Sequence, residues 1–189
     1  GGLNFSRDGG DNWTFVNNLP VGQFYHIAVD NAEPYNVYGG MQDNGSWVGP
    51  SAVWHTGGIR NEDWQEILFG DGFDVQPTGD GEVYAMYQGG AVNRVNLTTL
   101  GSTDIQPVSP DSVPLRFAWN GALALDPNSQ DGLYFGSQRL HHSPDRGRTW
   151  STLSGDLTTN DPDKLQQATS GGLTIDATKA ENHCTILCI

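Results

Sequence analysis

Short apolar stretches alternate with clusters of glycine, aspartate, asparagine and proline along most of the chain. Phe24-Tyr25-His26-Ile27-Ala28-Val29, Asn36-Val37-Tyr38-Gly39, Gly81-Glu82-Val83-Tyr84-Ala85-Met86-Tyr87 and Leu133-Tyr134-Phe135 concentrate aromatic and β-branched residues, and they predict strands. The stretches between them carry Asp-Asn-Gly, Gly-Asp-Gly and Pro-Asn-Ser-Gln-Asp-Gly, which predict tight turns. Only Asp161 to Thr169 predicts a helical turn.

The strands recur. Val29-Asp30 leads to Val37-Tyr38-Gly39-Gly40, Val75-Gln76-Pro77 to Val83-Tyr84-Ala85, and Leu125-Asp126-Pro127 to Leu133-Tyr134-Phe135-Gly136, so that Asp30, Gln76 and Asp126 stand 46 and 50 residues apart. A second signature, S-x-D-x-G-x-x-W, is carried by Ser6, Asp8, Gly10 and Trp13 and again by Ser143, Asp145, Gly147 and Trp150, 137 residues later. That distance is close to three of the shorter steps. Four short strands in a repeat of this length predict an all-β chain, a β-propeller arc of four-stranded antiparallel blades. Each box reads as a hairpin clasp on the outer rim: the Asp accepts backbone N–H groups, the Gly takes a positive φ, the Ser adds a local bond, and the Trp covers blade surface.

Composition narrows the function. Nine Lys and Arg against 22 Asp and Glu give a formal charge of −13, which excludes nucleic acid and anionic lipid as partners. Hydrophobic residues at 36% suffice for a core, and no apolar run is long enough to insert in a membrane. The 25 glycines supply the turns. Cys184 and Cys188 stand alone at one end, too few and too clustered for a disulfide framework or a zinc site. No phosphate-binding loop, dinucleotide fingerprint or nucleophile elbow is present, and no cofactor or metal is expected.

The boxes resemble the Asp-box, or bacterial neuraminidase repeat, of sialidases and sortilin-type propellers. Longer strings, Pro34 to Trp47, Gly70-Asp71-Gly72-Phe73, Arg116-Phe117-Ala118-Trp119-Asn120 and Asp156 to Pro162, resemble large bacterial extracytoplasmic proteins described as sortilin-like or glycosyl-hydrolase-like. The resemblance implies a secreted, periplasmic or cell-surface location and a fragment of a larger ring. Residues 1–19 would end one blade, 24–69, 73–118 and 120–157 would form three more, and 171–189 would open another, with the remaining blades of a parent chain as partners.

Candidate chemistry gathers where the connections surround a propeller's channel. Gln42, Gln88 and Gln138 recur at the repeat spacing, and an amide suits either sugar hydroxyls and peptide backbone of a ligand, or backbone groups at blade junctions. Arg139 lies beside them, with Trp47 and Phe73 as stacking surfaces. Asp43 and Asp71 are the best carboxylate pair for glycoside hydrolysis, which needs an acid and a base or nucleophile flanking the bond. Strong fold motifs beside weak catalytic ones favour a binding or scaffold module for glycan, peptide or protein ligands, with a polysaccharide hydrolase as the rival. Adjacent His141 and His142 point to opposite faces of a strand and do not form a metal site.

Overall fold

The computed structural model describes residues 2–19, 22–166 and 182–189. A hairpin of β1 (Leu3–Phe5) and β2 (Thr14–Val16) precedes three four-stranded sheets. The first blade holds β3 (Phe24–Val29), β4 (Asn36–Met41), β5 (Gly45–Pro50) and β6 (Gln65–Leu68); the second β7 (Val75–Pro77), β8 (Glu82–Tyr87), β9 (Ala91–Asn96) and β10 (Ser102–Asp104). The third holds β11 (Ala122–Leu125), β12 (Leu133–Gly136), β13 (Leu140–Ser143) and β14 (Ser151–Thr152). All pairings are antiparallel between sequence neighbours, so each blade is a meander. The fold is an incomplete propeller arc.

Because successive side chains on a strand point to opposite faces, a blade covered on both sides needs apolar residues at consecutive positions. Strand β8 meets that need: Val83 and Ala85 pack with Tyr38, Ile67, Val75 and Val95 toward the first blade, while Tyr84 and Met86 pack with Leu123, Leu133 and Phe135 toward the third. All four β8 residues are completely buried. Burying a side chain such as Met86 or Phe135 contributes about 1.5–3 kcal/mol, so the middle blade carries much of the stability. Strand β3, by contrast, leaves Ile27 and Val29 more than half exposed on the face turned away from the second blade.

Backbones approach closely between the first two blades. A Cβ on Gly40 would overlap Gly72 and Phe73 main chain, and one on Gly72 would meet the Gly45 carbonyl. Glycine is therefore dictated at 40 by contact.

The observed register corrects the repeat alignment at one place. Tyr38 faces Ala28, Tyr84 faces Gln76 and Tyr134 faces Ala124, so Gln76 is the counterpart of Ala28 and Ala124, not of Asp30 and Asp126. The turn joining β7 to β8 is two residues shorter than its equivalents. Measured on the first strand of each blade, Ala28, Gln76 and Ala124 are evenly spaced by 48.

The two S-x-D-x-G-x-x-W boxes close their hairpins with one bonding scheme. Ser6 and Ser143 each donate to the aspartate two residues on and accept the N–H of Gly10 or Gly147 at 2.8 Å. Asp8 and Asp145 accept from the backbone N–H and side chain of Asn12 and Thr149. Both glycines have positive φ, 106° and 79°. The bonds from Asn12 and Ser6 pull the Asp8 carboxyl down to about 2; with its folded value below the unfolded one, the clasp contributes above the ordinary aspartate range and is lost as pH falls toward 2. The two tryptophans differ. Trp150 packs on Phe135 and donates its Nε1–H to the Ile105 carbonyl at 2.8 Å, bridging blades, whereas Trp13 is exposed. In the second blade Asn96 does the clasping, accepting from the N–H groups of Thr98 and Thr99.

Within the third blade's box, Arg146 also reaches three carboxylates, Asp80 and Glu82 of the second blade and Asp131 of its own, at 2.6, 3.0 and 2.6 Å. The turn expected at 161–169 is present through Leu165, with residues 167–169 outside the described set. Residues 182–189 contain no strand; Ile186 lies against Gly136 and donates its N–H to the Ser137 carbonyl at 2.8 Å.

Gly40→Ala is expected to destabilise the chain by about 3 kcal/mol, since backbone must move, whereas Gly155→Ala, with open space around its Cβ, changes stability by less than about 0.5 kcal/mol. Urea unfolding of both variants measures the contrast. In the same assay Ser143→Ala, which orphans a buried Gly147 N–H, costs about 1–2 kcal/mol, and Ser6→Ala in the exposed clasp costs under about 0.5 kcal/mol.

Candidate functional site

The three hairpins joining the second and third strands of the blades lie at one end of the arc, each with a three-residue loop: 42–44, 88–90 and 137–139. Glycines meet the backbone demands of the first two, with φ of 72° at Gly45 and 78° at Gly89, while Asp43 itself adopts φ 59°. The recurrent glutamine opens the first two loops and stands second in the third.

Each glutamine fastens its loop to the segment leading into its own blade. Gln88 Oε1 accepts the Asp71 N–H at 2.9 Å, and Gln138 Oε1 accepts the Arg116 N–H at 2.8 Å while its Nε2 donates to the Pro114 carbonyl. Gln138 is completely buried. Gln42 is exposed, and its Oε1 accepts from Gln23 Nε2 at 3.2 Å. The amides of Gln88 and Gln138 thus serve backbone groups, and Gln42 is the one that lines open space.

Asp71 is the hub of the region. Its Oδ1 accepts the Asp43 N–H at 2.8 Å and its Oδ2 accepts Trp119 Nε1–H at 3.2 Å, so one carboxylate ties the first-blade loop to the segment before the third blade. Three covalent bonds from the Asp43 nitrogen to its carboxyl carbon, and one from the Asp71 Oδ1 to its own, keep the two carboxyl groups within about 8 Å of each other across that 2.8 Å contact. Phe73, two residues on, is 1% exposed and belongs to the core, so it offers no stacking face to a ligand. Arg139 is paired with Asp111 at 2.7 Å, and Arg116 with Asp156 at 2.6 Å. His141 is buried between Ser137 and Thr152, and His142 pairs with Asp126.

A β-bulge brings further groups to the hub. Strand β3 pairs Phe24 with Met41 and His26 with Gly40, leaving Tyr25 as the extra residue. Bulges re-aim side chains: the Tyr25 ring settles 4.6 Å from Phe73, and His26 Nε2 lies 2.8 Å from Asn120 Nδ2 of the third blade's leading segment. Burial, then the charges of Asp71 and Asp43, push the Tyr25 hydroxyl above its ordinary pKa. Tyr25, His26 and Trp119 were not among the expected site residues. A regular strand would have turned Tyr25 and His26 to opposite faces, and only the bulge, silent in the sequence, groups them.

Open space flanks the first-blade loop. A cleft of about 750 Å³ runs between the β1–β2 hairpin and the first blade, with Phe15, Gln23, Gln42, Asp43 and Asn44 on its walls. A neighbouring cleft of about 430 Å³ is walled by Phe24, Ile59, Arg60 and Trp64. Trp47 lines both, its Nε1–H donating to the Asn44 carbonyl at 2.5 Å. No cluster of three or more histidine, cysteine or acidic side chains suited to a metal occurs among the described residues.

No family model matches the chain, and no curated protein sequence does. Among solved structures it is similar to a GH74 xyloglucanase from Xanthomonas campestris, at 18% identity and a TM-score of 0.47, over 70% of this chain and 20% of that one. It is also similar to YCF48 bound to D1 peptide, at 15% identity and a TM-score of 0.45, over 81% of this chain and 47% of that one. The chain therefore spans a fifth of the first protein and about half of the second.

Asp71→Asn is expected to lower the Tyr25 pKa toward the usual tyrosine range without restoring it fully, because burial, the larger cause, remains. Tyrosine-selective NMR titration of the two proteins reads the shift; an unchanged Tyr25 titration would show that the charge of Asp71 does not act on the phenol.

Proposed function

We propose that this chain is part of a propeller that holds a glycan, peptide or protein ligand at its loop face, acting as a binding or scaffold module. The observation that carries this reading is the state of Asp71. Both of its oxygens accept hydrogen bonds from protein donors that join separate blades, Asp43 N–H and Trp119 Nε1–H, so the carboxylate serves as a structural tie between loops. Beside it, the cleft walls are mostly amides and aromatic rings, with Asp43 and Arg60 as the charged groups among the described lining residues. The boxes at Ser6–Trp13 and Ser143–Trp150 support a place among the sortilin-like Asp-box propellers, and with it an extracytoplasmic location.

A hydrolase is the second reading, favoured by one observation: the Asp43 and Asp71 carboxyl groups lie no more than about 8 Å apart, under the upper limit of about 9.5 Å for glycosidase carboxyl pairs. Incubation of the chain with a panel of soluble polysaccharides, followed by reducing-end detection, separates the two. The binding reading predicts no turnover by the wild type. Turnover that disappears in Asp43→Asn while the fold persists by circular dichroism would replace it with the hydrolase.

A further inference from the structure

We infer that the two clefts beside the first blade form one continuous groove for a neutral, linear oligosaccharide laid across the Trp47 indole; this deepens the loop-face binding reading and rests on it. The clefts share four walls, Leu19, Gly22, Met41 and Trp47. Phe15 lines only the wider cleft, Phe24 and Trp64 only the narrower, and Trp47 both, so four aromatic side chains line the groove with Trp47 where the two clefts meet. Pyranose rings present apolar C–H faces, and a chain of them matches a succession of aromatic surfaces. Trp47 is fixed before any ligand arrives: its Nε1–H donates to the Asn44 carbonyl, and Asn44 Nδ2 donates to the Gln42 carbonyl at 2.8 Å. A locked ring loses little freedom on stacking.

The polar walls select the ligand's charge. Asn17, Gln23, Gln42 and Asn44 supply amides, each able to donate and accept with hydroxyl groups. Asp43 is the carboxylate among the described lining residues, and Arg60 the cation. Arg60 already donates to Glu62 at 3.3 Å and to the Thr56 carbonyl at 2.8 Å. Arg60 is thus already engaged in part, and Asp43 together with the net −13 disfavours a uronate or sulfate. A peptide would gain most by adding a strand to the free edge of β3, but the bulge at Tyr25 interrupts that ladder beside the groove.

Isothermal titration of the 189-residue chain with cellobiose, cellotetraose, cellohexaose, an oligogalacturonate and an unstructured peptide tests the inference. Affinity is expected to rise at least tenfold from disaccharide to hexasaccharide, to fall at least tenfold in Trp47→Ala, and to be absent for the galacturonate. Gln42→Ala, at an exposed position, carries the test if Trp47→Ala fails to fold, with a several-fold loss expected. Trp54→Ala, fully exposed and outside both clefts, leaves binding unchanged. Affinity independent of chain length, tighter binding of the galacturonate, or indifference to both Trp47→Ala and Gln42→Ala overturns the groove. Binding of the peptide alone overturns it too, while leaving the loop-face binding reading intact; binding of no probe removes support from both.

Discussion

Burial on both faces is the constraint from which the rest of this structure follows. A four-stranded meander presents two broad surfaces, and neither can be left to water without forfeiting the hydrophobic contribution that offsets the ordering of the chain. The middle blade satisfies the constraint by facing neighbours on either side, which is why Val83, Tyr84, Ala85 and Met86 are consecutive and completely buried. Close stacking then fixes Gly40 and Gly72, and the short loops at the blade ends follow from strands that must begin and end together.

Much of this was legible in the sequence, because the properties that define a blade are local. Strand runs, turn residues and the two boxes are each read from a few adjacent positions, and the clasp bonding of Ser6 and Asp8 is repeated at Ser143 and Asp145. The failures were of two kinds. One was register: a turn two residues shorter between β7 and β8 moved Gln76 onto the strand, since sequence spacing counts residues while pairing counts facing positions. The other was convergence. Asp71, Trp119 and Tyr25 meet through a bulge and two separate leading segments, and no pattern along the chain links residues 25, 71 and 119. Phe73 illustrates the cost, since beside a Gly-rich loop it reads as a stacking surface and in space it is core.

The acidity of the chain also takes on a different meaning. Many of its aspartates accept backbone N–H groups in turns: Asp30 from Ala32 and Asn36, Asp126 from Asn128, Asp145 from Thr149. Aspartate is favoured there because its short side chain reaches the N–H two to six residues ahead. The surplus of negative charge is thus a by-product of how the loops are tied, and it incidentally shapes which ligands can approach.

Arg146 shows what such an arrangement entails. One guanidinium answers Asp80 and Glu82 on the second blade and Asp131 on the third, with Arg94 adding only a longer contact of 3.7 Å to Glu82. The planar fork of arginine can address several carboxylates at once, which a lysine ammonium does less well. The junction is consequently asymmetric toward sequence change: any one of the three acids can be exchanged with modest effect, whereas loss of Arg146 leaves three gathered acids with only the longer Arg94–Glu82 contact. Drift at this seam is tolerated on the acidic side and closed on the basic one.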